Sequence, residues 1–146
     1  MDTPIRILVV DDELPARNRL KEILQDVSAT MSLSVVAEAS DGLKAITLIN
    51  DMQIDIALLD IRMPPPSGLD VVTRAKETGC PTTLVVMTAQ ATMANAVEAM
   101  KRGAYDYLTK PFDLDVVRLL VKRALESRRL TADVDTLKLE LRKRYE

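Results

Sequence analysis

Apolar residues along the chain fall into five short runs that are separated by amphipathic stretches. Three of the runs are almost continuous in Ile, Leu and Val, which is typical of parallel strands buried on both faces. Strand and helix patterns alternate five times, so the chain is predicted to adopt a doubly wound α/β fold with one five-stranded parallel sheet. The predicted strands are Ile5–Val10, Leu33–Ala37, Ile54–Leu59, Thr82–Met87 and Tyr105–Leu108.

The helices between the strands are predicted from their apolar faces and their end signals. Pro15 suits a first helical turn, where its missing N–H costs nothing. Ser67 is expected to cap the helix that begins near Gly68. The faces predicted to pack on the sheet are Ala16, Leu20, Ile23, Leu24 and Val27 in the first helix, Leu43, Ile46, Leu48 and Ile49 in the second, and Val97 and Met100 with their Ala neighbours in a later one.

A long C-terminal helix is predicted because residues 113–145 contain neither Gly nor Pro. Its first part is expected to pack on the sheet through Val117, Leu120, Val121, Ala124 and Leu125. The residues beyond are apolar at intervals of four, three and four, which is the seam of a coiled coil. The alternative is a solvated helical tail. We expect a core domain over residues 1–125 and a linker helix over residues 126–146, with the seam at Leu130, Val134, Leu137 and Leu141.

The amino-acid composition excludes several classes of catalytic and metal-binding site. The chain has no His, so a serine-type triad, a His metal ligand and phosphohistidine are excluded. Cys80 is the single cysteine, and no apolar run approaches the length that crosses a membrane, which predicts a cytoplasmic protein without membrane contact. The net charge of −2 gives no basic footprint for direct contact with nucleic acid.

Carboxylates and other polar groups follow the strands at their carboxyl ends, which meet at one edge of a parallel sheet. Asp11, Asp12 and Glu13 follow the first strand, and Asp60 ends the third. Hard oxygen ligands of this kind suit Mg²⁺ together with a phosphate. Each residue alone is also a plausible cap or turn residue; their joint occurrence at successive strand ends favours a site. Thr88 and Ala89 lie at the end of the fourth strand, and Lys110 and Pro111 follow the fifth.

Four motifs in combination resemble the receiver domain of two-component response regulators: "ILVVDDE", "ALLDIRMP", "VVMTA" and "GAYDYLTKPF". The resemblance covers roughly residues 5–125 and implies that Asp60 accepts a phosphoryl group from a histidine kinase. It also implies a Mg²⁺ or Mn²⁺ ion bound by Asp12, Asp60 and the backbone carbonyl of Arg62, with Asp11 acting through a water molecule.

The same resemblance assigns further roles near the phosphoacceptor. Lys110, Thr88 and Ala89 are expected to stabilise the phosphoryl group. Thr88 and Tyr107 are expected to move together as a switch, and the Lys110–Pro111 peptide bond is expected to be cis. The chain departs from the family at residues 63–68, where the turn reads Met-Pro-Pro-Pro-Ser-Gly and its prolines restrict the backbone.

The two halves of the chain resemble different branches of the family. "DDELPARNRL" and "SDGLKAITLIN" are similar to LytTR-type receivers, whereas the sequence from residue 87 onwards and the tail "LKLELRKRYE" are similar to NtrC-type regulators of sigma-54-dependent transcription. A chimera is one interpretation. No phosphate-binding loop of an ATPase and no basic helix-turn-helix is present, so the output domain is expected to lie outside this chain. A homodimer is expected through the seam and the surface of the fourth helix, fifth strand and fifth helix.

Other functions remain open from the residues. A phosphohydrolase with an aspartyl-phosphate intermediate usually has a second Asp two residues after the nucleophile, where this chain has Arg62. A flavodoxin-like cofactor binder would have a phosphate-binding loop after the first strand instead of acidic residues. An interaction module that is independent of phosphorylation is the third alternative, but such a module would not need Asp60, Thr88 and Lys110 together. A stand-alone receiver that acts by protein–protein contact is also possible.

Overall fold

The computed structural model describes residues 3–89 and 93–127. Within these ranges five strands and five helices alternate along the chain. The strands are β1 (Ile5–Val10), β2 (Leu33–Ala39), β3 (Ile56–Asp60), β4 (Thr83–Thr88) and β5 (Asp106–Thr109). The helices are α1 (Leu14–Val27), α2 (Gly42–Asp51), α3 (Gly68–Glu77), α4 (Met93–Arg102) and α5, which is described over residues 114–127. The predicted seam from Leu130 to Leu141 lies outside the described residues.

The five strands form one parallel sheet in the order β2-β1-β3-β4-β5, which confirms the predicted doubly wound architecture. The chain moves from β1 outward to β2 and then returns to place β3 on the other side of β1. The order therefore reverses between β1 and β3. Ligands of doubly wound sheets bind at this reversal, beyond the carboxyl ends of the strands.

Alternate residues of the strands face two separate hydrophobic cores, as the two-residue repeat of a strand requires. One face packs against α1 and α5, and the other packs against α2, α3 and α4. The central strand β3 is buried at all five positions, including its last residue, Asp60. In β3, Ile56 and Leu58 lie in the first core, whereas Ala57 and Leu59 lie in the second.

The sequence features at the helix starts act as expected. Pro15 lies in the first turn of α1. Ser67 caps α3 through a reciprocal pair of hydrogen bonds, in which its hydroxyl accepts from the backbone N–H of Asp70 and its own backbone N–H donates to the Asp70 carboxylate. This capping box fixes the start of α3 directly after the loop that follows Asp60.

Two predicted apolar faces are wrong in part. Val97 and Met100 of α4 are 43% and 45% exposed, and the buried residues of this helix include Ala96 and Ala99. Small alanines let a helix approach its neighbours closely, so the larger side chains at 97 and 100 point away. Leu43 at the start of α2 is likewise exposed, because Ala45 and Ile49 supply the buried contacts of that helix.

Candidate functional site

The polar residues predicted at the strand ends do lie at one edge of the sheet. Asp60 is the last residue of β3 and is paired with Met87 of β4, while Thr88 of β4 is paired with Thr109 of β5. The backbone N–H of Lys110 donates to the carbonyl of Thr88 at 2.8 Å. Regular strand pairing therefore brings the carboxyl ends of β3, β4 and β5 to the same edge.

Three carboxylates converge at this edge. Asp11, Asp12 and Asp60 each place an oxygen within 4.8 Å of the others. Asp11 and Asp60 are 2% and 5% exposed, whereas Asp12 is exposed to solvent. A grouping of three acidic residues with this spacing occurs nowhere else in residues 3–89 and 93–127. Two buried carboxylates and one exposed carboxylate form a pocket of negative charge that is open on the side of Asp12.

Lys110 links the two buried carboxylates. Its Nζ lies 2.7 Å from Asp11 Oδ2, where it donates a hydrogen bond, and 3.6 Å from Asp60 Oδ1. Burial lowers the pKa of Lys110, but the hydrogen bond to Asp11 and the charges of Asp60 and Asp11 outweigh burial, so the pKa is raised overall. The ammonium group is therefore charged at neutral pH and is oriented toward both carboxylates.

The surroundings of Asp60 disfavour its charge. Burial is the largest cause and the negative charge of Asp11 the second; together they raise the pKa of Asp60 to about 6 despite the opposing effects of Lys110 and of the backbone N–H of Arg62. That N–H donates to Asp60 Oδ1 at 3.2 Å. A positive ion at the site would relieve both unfavourable effects.

The residues present fit a magnesium ion. All three side chains offer hard oxygen ligands, and Mg²⁺ is usually bound through one or two carboxylates while it keeps several water molecules. With all three carboxylates ionised, three negative charges face the single positive charge of Lys110. The excess is two negative charges, which equals the charge that a divalent cation neutralises.

The other predicted residues lie around this centre. Thr88 is buried at 1% exposure, and Ala89 is exposed just beyond it. Tyr107 lies on β5 with 38% of its surface exposed. The Lys110–Pro111 peptide bond is cis, and so is the Pro65–Pro66 bond within the proline-rich turn.

Sequence reasoning missed two residues that shape the site. A Cβ atom on Gly68 would overlap the carbonyl oxygen of Asp60, so α3 begins against the backbone of Asp60 at a distance that only glycine permits. Arg17 of α1 donates a hydrogen bond to the carbonyl of Asp11. Three prolines before Gly68 were a signal for a tight turn there, whereas Arg17 is one of several charged residues on α1.

Comparison with known proteins agrees with this geometry. The profile of the response regulator receiver domain matches residues 7–122. The chain belongs to this family. Receiver domains are regulatory phosphoacceptor domains that interact with histidine kinases and bind Mg²⁺ at a cluster of acidic residues. The group formed by Asp11, Asp12 and Asp60 is an acidic cluster of this kind.

Two regulators and one solved structure illustrate the similarity. The receiver is 36% identical over 129 residues to the regulatory protein AtoC of Escherichia coli, covering 88% of this chain and 27% of AtoC. It is 36% identical over 138 residues to the alginate biosynthesis transcriptional regulatory protein AlgB of Pseudomonas aeruginosa, covering 94% of this chain and 30% of AlgB. The solved receiver domain of the response regulator NarL from Mycobacterium tuberculosis is 30% identical with a TM-score of 0.75, covering 84% of this chain and 98% of the other.

These relatives bear on the branch of the family. AtoC and AlgB are NtrC-type regulators, the branch predicted from the C-terminal half, and each match is long enough to include parts of both halves. The LytTR-type resemblance of the N-terminal half stays a prediction. The receiver spans less than a third of the length of AtoC or of AlgB. Among the residues that the structure describes, no helix is both long and apolar enough to cross a membrane.

Proposed function

We propose that Asp60 is the phosphoacceptor of this receiver domain and takes the phosphoryl group from the phosphohistidine of a sensor kinase. The observation that carries the proposal is the position of Asp60 at the carboxyl end of β3, 3.6 Å from Lys110 and grouped with Asp11 and Asp12. An ionised carboxylate oxygen at this position is the nucleophile. The domain acts as a phosphoacceptor that later loses the group by hydrolysis, and not as a turnover enzyme.

Asp11, Asp12 and Asp60 would hold Mg²⁺ or Mn²⁺ together with the backbone carbonyl of Arg62, with Asp11 acting through a water molecule. The bound ion supplies charge neutralisation for the phosphoryl oxygens. The support for this ligand set is the excess of two negative charges at the site, which Lys110 alone does not balance. Asp12 is the exposed carboxylate of the three, so it lies on the side from which an ion and a phosphoryl group enter.

The remaining polar groups would stabilise the transferred group and signal its presence. Lys110 would contact the phosphoryl oxygens with its ammonium group, and Thr88 and Ala89 would contribute a hydroxyl and a backbone N–H from the end of β4. Because phosphorylation adds negative charge and acceptor oxygens beside these groups, it draws the hydroxyl of Thr88 inward. Tyr107 then follows, and the surface of α4, β5 and α5 repacks.

The proposed output follows from the neighbouring surfaces and from the relatives. Exposed apolar residues lie on the surface of α4, β5 and α5, including Val97, Met100, Val116 and Leu119. We propose that this surface and the seam at Leu130, Val134, Leu137 and Leu141 pair two copies of the chain. The pair would then control an output domain for sigma-54-dependent transcription in the cytoplasm, where a kinase makes phosphohistidine from ATP. The receiver itself would not contact nucleic acid.

The phosphoacceptor assignment is tested with acetyl phosphate as a small phosphoryl donor. In Mg²⁺, the intact mass should rise by one phosphoryl group, and borohydride reduction followed by peptide sequencing should locate the modification at Asp60. EDTA should prevent the reaction, because the carboxylates then lack the divalent charge that neutralises the donor. Modification at another residue, or at equal rate in EDTA, would contradict the assignment.

The pairing proposal is tested by sedimentation equilibrium in Mg²⁺ with and without beryllium fluoride, a mimic of the phosphoryl group. The mimic should change the self-association constant, because the site and the pairing surface are coupled. Leu137→Lys should make the protein monomeric if the seam holds the pair, and Leu119→Lys should do so if the surface of α4, β5 and α5 holds it. A wild-type monomer under both conditions would reduce the seam to a solvated tail.

A further inference from the structure

Arg17 on α1 connects the acidic site to the edge of the sheet. Its Nη1 donates a hydrogen bond of 2.7 Å to the backbone carbonyl of Asp11, and its Nε donates one of 3.2 Å to the carboxylate of Glu38 on β2. The Arg17 side chain is only 15% exposed. One guanidinium group therefore bridges the turn after β1 and the neighbouring strand with both ends hydrogen-bonded.

Glu38 is itself held from a second side. Lys21, one helical turn after Arg17, donates a hydrogen bond of 2.8 Å to the other carboxylate oxygen of Glu38. The hydrogen bond from Lys21 is the largest cause that lowers the pKa of Glu38, with Arg17 contributing in the same direction against the effect of burial. Glu38 is therefore ionised at neutral pH and anchors the guanidinium of Arg17 in one orientation.

The other polar groups of Asp11 are hydrogen-bonded to residues other than Arg17, and the backbone carbonyl is the group that Arg17 holds. The backbone N–H of Asp11 donates to the carbonyl of Ala39 at 3.1 Å. Its two carboxylate oxygens accept from the backbone N–H of Glu13 at 3.0 Å and from Lys110 at 2.7 Å. The carbonyl of Asp11 and the N–H of Asp12 belong to one planar peptide unit. The hydrogen bond from Arg17 thus fixes the peptide plane from which the exposed carboxylate of Asp12 projects.

We propose that Arg17 is a positioning residue for the magnesium site, and that Glu38 holds its guanidinium in place. This inference rests on the proposed function, in which Asp12 is a magnesium ligand. Arg17 adds a positive charge near a site for a cation, so its charge alone would weaken Mg²⁺ binding. Its hydrogen bond to Asp11 acts in the opposite sense, because a fixed peptide plane keeps the carboxylate of Asp12 in the binding geometry.

The sign of the change in Mg²⁺ affinity separates the two effects. We expect Arg17→Met to weaken Mg²⁺ binding about 10-fold, since residues that orient metal ligands are typically worth that factor or more. The measurement is isothermal titration calorimetry of the unphosphorylated protein with Mg²⁺ alone, with circular dichroism to establish that each variant is folded. This readout does not depend on phosphorylation.

Lys21→Met is the matched control. It removes the same charge from the same helix and breaks a hydrogen bond to the same carboxylate, but Lys21 has no hydrogen bond to Asp11 among the described contacts. We expect its Mg²⁺ affinity to stay within about twofold of wild type, as for an ordinary partly exposed ion pair. Arg17→Lys keeps the charge but cannot donate in two directions from a planar fork, so its affinity should fall between wild type and Arg17→Met.

Each outcome decides a separate point. Equal or tighter Mg²⁺ binding by Arg17→Met would overturn the positioning role, and so would equal weakening by Lys21→Met. If Arg17→Met does not fold, unchanged affinity in Arg17→Lys would overturn the role instead. Wild-type protein that binds no Mg²⁺ would refute the proposed magnesium site itself, and the inference with it.

Discussion

Asp60→Asn should be more stable than wild type in the absence of Mg²⁺. The pKa of Asp60 is raised from 3.8 to about 6 in the folded protein, chiefly by burial and by Asp11. Holding this carboxylate ionised near neutral pH therefore costs free energy that a neutral Asn does not. At about 1.4 kcal/mol per pKa unit, the free energy of unfolding should rise by about 1–3 kcal/mol. Urea unfolding in EDTA measures it.

The pH dependence of this gain has a definite sign. Below pH 3.8 both folded and unfolded wild type carry a protonated Asp60, so wild type and Asp60→Asn should be equally stable. Between 3.8 and about 6 the folded protein keeps a proton that the unfolded chain has lost, so wild-type stability declines as the pH rises. Above that window the difference should be constant and largest. A variant that is less stable than wild type at neutral pH would contradict the description of Asp60 as a strained carboxylate.

The same variant, Asp60→Asn, should no longer accept a phosphoryl group. Asp60→Asn presents an amide that is a poor nucleophile, so incubation with acetyl phosphate and Mg²⁺ should leave its mass unchanged. Asp26→Asn, an exposed change on α1, should be labelled like wild type and should not gain stability. Stability gained together with activity lost is the pattern expected where a site keeps a costly charge for its chemistry.

The alternating pattern of strands and helices was enough to predict the sheet and to bring the acidic residues to one edge. Parallel strands end together, so Asp11, Asp60 and Thr88 had to lie near one another once the sheet was assigned. The predicted strand bounds were wrong by up to two residues at either end, because β2 continues to Ala39 and β3 begins at Ile56. These shifts do not move the site, since its residues are tied to the carboxyl ends.

Contacts between helices, strands and loops could not be predicted from the sequence, because they depend on how the elements pack in three dimensions. A helical wheel places Val97 and Met100 beside Ala96 and Ala99, but which part of a broad apolar face is buried depends on how closely the helix packs. The hydrogen bond from Arg17 to the carbonyl of Asp11 depends on a long side chain folding back over a turn. The position of Arg17 in the sequence does not distinguish it from the other arginines as the residue that makes this contact. The clash that only glycine avoids at residue 68 depends on where α3 starts relative to Asp60.

Lys110→Met should change stability in the opposite direction from Asp60→Asn. Lys110 has 22% of its side chain exposed and neutralises both Asp11 and Asp60, whereas Met keeps most of the side-chain length without the charge. Removing one partner of a buried charge group leaves the other charges unbalanced, so in EDTA near neutral pH the free energy of unfolding should fall by about 2–4 kcal/mol. Lys122→Met, an exposed change on α5, is the control and should have little effect.

A double variant and added Mg²⁺ establish the cause of that loss. If Lys110 stabilises the fold by balancing charge, Lys110→Met should cost less in an Asp60→Asn background, and the difference between the two costs is the coupling free energy. Mg²⁺ should restore more stability to Lys110→Met than to wild type, because a divalent cation replaces part of the missing positive charge. Equal costs in both backgrounds would mean that Lys110 stabilises the fold independently of Asp60, through its hydrogen bond to Asp11 or through its packing, and the proposed coupling between Lys110 and Asp60 would be wrong.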